Sequence, residues 1–146
     1  CTLSDDMDGL VEQMKAADGI VLGSPDYFAN VTARMKTFID RTRPLHMTAN
    51  ALKGKVGGMV VTSGLVDCGA EETLGALDRF FATHEMLVVH PRPAGPVLAS
   101  GTAASQFAGL DDGGRIRWRR VQDDRTAFAF ARQLGADMVR LIARLG

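Results

Sequence analysis

Cysteine is scarce in this chain. Only Cys1 and Cys68 are present, too few for a disulfide framework, and a reducing compartment such as the cytoplasm is the simpler expectation. An excess of either charge is also missing: seventeen basic residues meet seventeen acidic ones. Net charge therefore gives no reason to expect bulk attraction to nucleic acid or to a membrane surface. No apolar run approaches the ~18 residues that cross a bilayer. The three histidines, His46, His84 and His90, are scattered and match no metal-ligand spacing. Each reads as a surface or capping residue, and no protein metal site is expected.

What remains is an ordinary globular composition. The chain has 146 residues, 46% of them hydrophobic and 23% charged, which suits one domain with a sizeable core. Ser4, Asp5 and Asp6 precede Met7, Leu10, Val11 and Met14 at helical spacing, and the first helix is expected to end near Ala17-Asp18-Gly19. Ile20-Val21-Leu22 is a short, unbroken apolar run, the pattern of a strand buried on both faces. Asn30 is the expected N-cap of a second helix, on which Val31, Met35, Phe38 and Ile39 share a face. Residues 42–54 read as a loop with about one helical turn.

The second strand is expected over Val56–Val61, with Gly57 and Gly58 permitting close approach by packed neighbours. Glu71, Glu72, Leu74, Leu77, Phe80 and Phe81 mark the third helix, and Met86–Val89 the third strand. From His90 to Arg120 the chain is loop-rich, with Pro91, Pro93 and Pro96. Asp111-Asp112-Gly113-Gly114 is a turn signal that makes Arg115–Val121 the return arm of a small hairpin. The last helix starts at Asp123-Asp124, with Phe128, Ala131, Leu134, Met138, Ile142 and Leu145 as its buried stripe. Helices alternating with buried strands predict a doubly wound parallel sheet in three α/β/α layers.

In such a sheet the strands' carboxyl ends share one edge, where ligands bind. Ser24–Asn30 and Thr62–Gly69 both leave strands there. Tyr27 and Phe28 offer flat apolar contacts, and Thr62, Ser63, Gly64 and Asn30 offer hydrogen bonds, a combination suited to a planar ligand. Packing of the two aromatics on the neighbouring helix would explain them equally well from spacing alone. Arg115, Arg117, Arg119 and Arg120 flank Trp118. They allow contact with nucleic acid or a nucleotide phosphate, but read more simply as a solvated hairpin. Cys68 has no histidine beside it and reads as an incidental small residue rather than a nucleophile.

The stretch from Ala17 to Arg41, with its Gly23-Ser24-Pro25-Asp26-Tyr27-Phe28 and Lys36-Thr37-Phe38-Ile39-Asp40-Arg41, resembles the flavin loop of the flavodoxin-like NAD(P)H-dependent FMN reductases and their iron–sulfur flavoprotein branch. The resemblance implies a flavodoxin-like fold in which Ser24, Pro25, Tyr27, Phe28, Asn30 and Val31 hold FMN, with Thr62, Ser63 and Gly64 as a less specific second loop. It implies hydride transfer from NAD(P)H to FMN and on to a quinone, nitro, flavin or protein acceptor. The cofactor carries that chemistry, so no catalytic side chain is assigned. Relatives associate as homodimers or homotetramers, with no nucleic-acid or membrane partner.

In the family a Ser/Thr/Gly-rich phosphate loop precedes the segment that begins here. The chain thus reads as the C-terminal two-thirds of the domain, with an exposed edge on its first strand. Cys1 stands where the iron–sulfur branch carries a cysteine cluster, but one cysteine does not establish a [4Fe–4S] centre. The alternatives are a flavodoxin-like electron carrier, and a fragment that keeps the fold without activity. A phosphoacceptor signalling domain is rejected, since Gly23-Ser24-Pro25 stands where that class wants an acidic residue.

Overall fold

The computed structural model describes residues 5–92 and 102–146. Cys1, Ser4, Pro93 and Pro96, each part of a sequence expectation, lie outside them. Helix α1 runs Met7–Ala16. The Asp5 carboxylate starts it by accepting from the Met7 N–H at 3.0 Å, whereas Asp6 makes no side-chain cap bond. The same carboxylate receives both terminal nitrogens of Arg41, at 2.7 and 2.8 Å, which ties α1 to α2 (Ala33–Arg41).

Strand β1 (Gly19–Pro25) pairs in parallel with β2 (Val56–Ser63), in register from Gly19↔Val56 to Pro25↔Thr62. The third predicted strand is shorter than expected and is resumed later. Strand β3 (Leu87–Val88) pairs with Val56 and Gly57, and β4 (Ala103–Ser105) with Val61, Thr62 and Ser63, both in parallel. Since β1 occupies one edge of β2, these two pieces lie in line on the other. Residues 103–105 read as loop in sequence because Ala-Ala-Ser is too short for a period and lacks β-branched residues. The predicted hairpin forms from β5 (Phe107–Leu110) and β6 (Ile116–Trp118). Its turn is held by the Asp111 carboxylate, which accepts from the N–H groups of Gly113 and Arg115 at 2.9 Å each.

Helices cover both faces of the main sheet. Helix α4 (Ala70–Thr83), with Met14 of α1 and Leu45 of α3 (Arg43–Ala49), closes a core around Leu22, Met59, Val61, Leu77 and Phe81. On the other face α5 (Arg125–Leu145) lays Leu134 and Met138 on Val56. The glycine pair of β2 allows this, one residue toward each layer. A Cβ on Gly57 would stand 2.5 Å from the Phe81 ring, and one on Gly58 2.6 Å from the Met138 sulfur. The architecture is the flavodoxin-like three-layer α/β/α fold.

Three local expectations change. Residues 43–49 form a full helix, started by Pro44 in its first turn, where a missing N–H costs nothing. Thr32, not Asn30, caps α2, its hydroxyl accepting from Met35 N–H at 3.1 Å; Asn30 instead spends its side-chain oxygen on the Val31 N–H at 2.8 Å. The buried stripe of α5 begins with Ala127 and Phe130, while Phe128, Ala131 and Leu145 are exposed. The rotation is set at its cap: Asp124 is held by Arg119 and the Ser105 N–H, which fixes the side that meets the sheet. Among the described residues the outer edge of β1 has no strand partner, and Val21 on the α5 side is 50% exposed.

Candidate functional site

The two loops singled out in sequence do meet at the carboxyl ends of β1 and β2. The first prolongs the sheet, since the Asp26 N–H donates to the Thr62 carbonyl at 2.7 Å. The Asp26 carboxylate then accepts from the hydroxyl of Thr73 on α4 at 2.9 Å, and Thr73 is wholly buried. A bond from the Tyr27 N–H to the Asn30 carbonyl, 3.0 Å, closes a tight turn. Inside it Phe28 and Ala29 have φ of 54° and 57°. Left-handed backbone costs a residue with a Cβ roughly 1–2 kcal/mol. The strain is spent on presenting rings to solvent: Phe28 is completely exposed and Tyr27 is 63% exposed.

The second loop, residues 64–69, approaches from β2. Asp67 and Gly69 also take positive φ, 51° and 103°. A Cβ on Gly69 would lie 2.4 Å from Ala29 Cα, so the two loops touch backbone to backbone there. Only glycine fits. Sequence reasoning missed this contact; its one signal was a glycine directly ahead of the acidic first turn of α4. That helix opens without a side-chain cap, leaving first-turn N–H groups unclaimed by any capping side chain.

The predicted residues divide into two sets. Tyr27, Phe28, Asn30 and Pro25 are exposed on the first loop, and Thr62 and Gly64 are half-buried. Ser24, Ser63 and Val31 are buried and build the loops from beneath. The Ser24 hydroxyl donates to the Pro25 carbonyl at 2.8 Å and accepts from the Thr32 N–H at 3.2 Å. Ser63 donates to the Leu65 carbonyl at 2.6 Å. Cys68 is exposed and free.

Beside the second loop a cavity of about 340 Å³ is lined by Ser63, Leu65, Asp67, Ser105 and Phe130. A larger one, about 740 Å³, lies between α2, α3 and α4 and shares only Asn30 and Val31 with the predicted set. At its floor the buried His84 Nε2–H donates to Thr42 Oγ1 at 3.1 Å, because the Thr42 hydroxyl hydrogen already goes to the Ile39 carbonyl at 2.7 Å. Burial, then repulsion from His46, holds the His84 pKa below its ordinary 6.5.

Among the described residues no three His, Cys, Asp or Glu side chains gather as metal ligands, and no helix is long and apolar enough to cross a membrane. Exposed rings on a strained turn, a close-packed glycine loop and free N–H groups fit a flat, partly polar heterocycle such as isoalloxazine. A family of NADPH-dependent FMN reductases matches residues 1–106. An iron–sulfur flavoprotein of Methanocaldococcus jannaschii is 44% identical over 61% of this chain and 46% of its own length. An NAD(P)H dehydrogenase (quinone) of Trichlorobacter lovleyi is 30% identical over 92% of this chain and 66% of its own. The chain thus spans about half the length of the first curated relatives it matches. The solved WrbA-like flavodoxin of Agrobacterium tumefaciens shares the fold, with a TM-score of 0.70 at 20% identity over 94% of this chain and 73% of its own. With 106 of 146 residues matched, the chain belongs to the NADPH-dependent FMN reductase family.

Proposed function

We propose that the protein is an FMN-dependent oxidoreductase that takes hydride from NAD(P)H and hands electrons to a small-molecule or protein acceptor, a quinone first among them. The observation that carries this reading is the Tyr27-Phe28-Ala29 turn, strained in backbone, bare in side chain and seated on Gly69. Strain at an exposed turn is kept where a ligand uses the resulting surface. FMN supplies the hydride chemistry when bound. Tyr27 and Phe28 would cover a ring face, and Pro25 and Asn30 would border it. Backbone N–H groups of residues 64–69 and of the α4 first turn would hold the polar edge and favour negative charge there. Ser24 and Ser63 keep the loops in shape from beneath.

A phosphate-binding segment like the family's would pair along the free edge of β1 and cover Val21. Assembly as a dimer or tetramer and a cytoplasmic home go with this reading. A flavodoxin-like carrier would use the same loops, but the balanced charge favours an enzyme over an acidic carrier. An iron–sulfur centre, named for relatives, is not part of the proposal.

Titration of FMN with this chain tests it. Saturable quenching of flavin fluorescence at micromolar concentration is expected if the two loops suffice. Binding that appears only when an upstream phosphate-loop segment is present would make the chain an incomplete flavin domain. If neither form binds FMN, the flavin reading is wrong.

A further inference from the structure

The hairpin β5–β6 stands apart from both loops at the strand ends, yet its base is fastened to the second. The Gln106 N–H donates to the Ser63 carbonyl at 3.0 Å, and the Gln106 carbonyl accepts from the Arg119 N–H at 2.8 Å. The Arg119 guanidinium donates to the Ser105 carbonyl at 2.9 Å and to the buried Asp124 carboxylate at 2.6 Å. Trp118 is the residue before Arg119, so this latch fixes its position relative to Ser63-Gly64. A Cβ on Gly64 would lie 3.8 Å from Trp118 Cζ3, ordinary van der Waals distance. The indole therefore stands over the loop expected to border the flavin.

Most of the indole faces solvent rather than a core. Trp118 is 59% exposed; Ile116 on the same strand and Leu110 across from Ile116 are exposed as well, while its own cross-strand partner Phe107 is half-buried. Cross-strand pairing Phe107↔Trp118 and Leu110↔Ile116 puts these side chains on one apolar face. A two-stranded hairpin is marginal alone, and one that keeps its largest ring in water is arranged for contact with something else. Arg117 lies between Ile116 and Trp118 on the strand's opposite face, and is in no ion pair among the described residues.

We propose that Trp118 is the outer wall of the ring-binding site, stacking on a planar conjugated ring held at Gly64. The inference rests on the flavin reading and extends it: the two loops hold the site's floor, and the hairpin sets which flat molecules it accepts. Electron-poor rings suit an indole face, and such stacking is worth a measurable part of affinity. Two rings share this chemistry, the flavin itself and a quinone acceptor. The indole's place on a separate arm outside both flavin loops favours the quinone.

The test compares wild type, Trp118→Phe and Trp118→Ala in the full-length holoprotein, with circular dichroism and urea midpoints confirming the fold. Activity is followed with a naphthoquinone and with ferricyanide, which has no ring to stack. About a tenfold rise in KM for the naphthoquinone is expected in Trp118→Ala. Ferricyanide turnover and FMN affinity should hold, and Trp118→Phe should restore most of the loss. If FMN affinity falls tenfold instead, the wall stands but the ring it meets is the flavin. Unchanged quinone KM and unchanged FMN affinity in a folded Trp118→Ala would overturn the inference and leave the flavin reading intact. A wild-type protein that takes up no FMN would refute the flavin reading itself.

Discussion

Phe28 brings strain and exposure together in one residue, which makes its two contributions separable. Its side chain touches solvent alone, while its backbone holds a left-handed φ of 54°. Replacing it with glycine removes the Cβ penalty without giving up packing. Phe28→Gly is expected to raise unfolding free energy by about 1 kcal/mol while weakening FMN binding. Chemical denaturation and the flavin titration on one sample check both halves, and a destabilised variant would show that the ring packs in the native protein.

Much at this scale was legible. The place of Tyr27, Phe28 and Asn30 in a loop at the end of β1 was legible from the buried run before them. A ligand role for them came only from the family resemblance, since spacing let the two rings pack on the neighbouring helix equally well. The burial of Ser24 and Ser63 was not legible, since a hydroxyl next to a strand end can face either way until the loop closes over it. The same holds for Gly69. Its partner Ala29 is forty residues earlier, and nothing local announces a contact at that separation.

At the scale of elements, the glycine pair of β2 separates rigid from yielding neighbours. A Cβ at Gly57 meets the ring of Phe81, which is completely buried, whereas one at Gly58 meets the flexible thioether of Met138. Gly57→Ala is expected to cost roughly 2–3 kcal/mol and Gly58→Ala about 1 kcal/mol or less, read from urea midpoints at constant m-value. Equal costs would mean that Phe81 finds another rotamer. Long periodic elements were the readable ones: α4 and β2 follow from their patterns alone. The failures cluster where a distant partner decides. Helix α5 was seen, and Leu134, Met138 and half-buried Ile142 of its stripe were read correctly, but its first turns were read one position off. Ala127 and Phe130, not Phe128 and Ala131, are buried, because Asp124, which caps the helix at the Ala127 N–H, is itself held by Ser105 and Arg119. Strand β4 exists through pairing with β2, without any β-forming side chains of its own.

For the molecule as a whole, His84 sets a pH dependence. Folding buries its neutral ring on Thr42 and lowers its pKa from 6.5. Below that ordinary value the unfolded chain takes up a proton that the folded chain still refuses. Stability therefore falls as pH drops through about 6.5 toward the lowered pKa, and it is recovered above. Urea midpoints at about pH 5.5 and about pH 7 should differ in that sense, and the difference should shrink in His84→Gln, whose amide can still reach Thr42. An unchanged difference would assign the effect to other groups. Sequence placed His84 only as a surface or capping residue; its role as a buried link between α2 and α4 depends on helices that meet in three dimensions.

Strand β2 is paired with every other strand of the main sheet: β1 along one side, β3 and β4 on the other. No strand of that sheet can then detach β2 by leaving, and β2 cannot leave without dissolving the sheet. In native-state hydrogen exchange the amides of residues 57–62 should thus trade protons only through complete unfolding, and at a single common rate. The two short pieces on its far side can open one at a time. The protein can loosen the hairpin end of its sheet, where Trp118 stands, while the strand that carries the second loop stays shut.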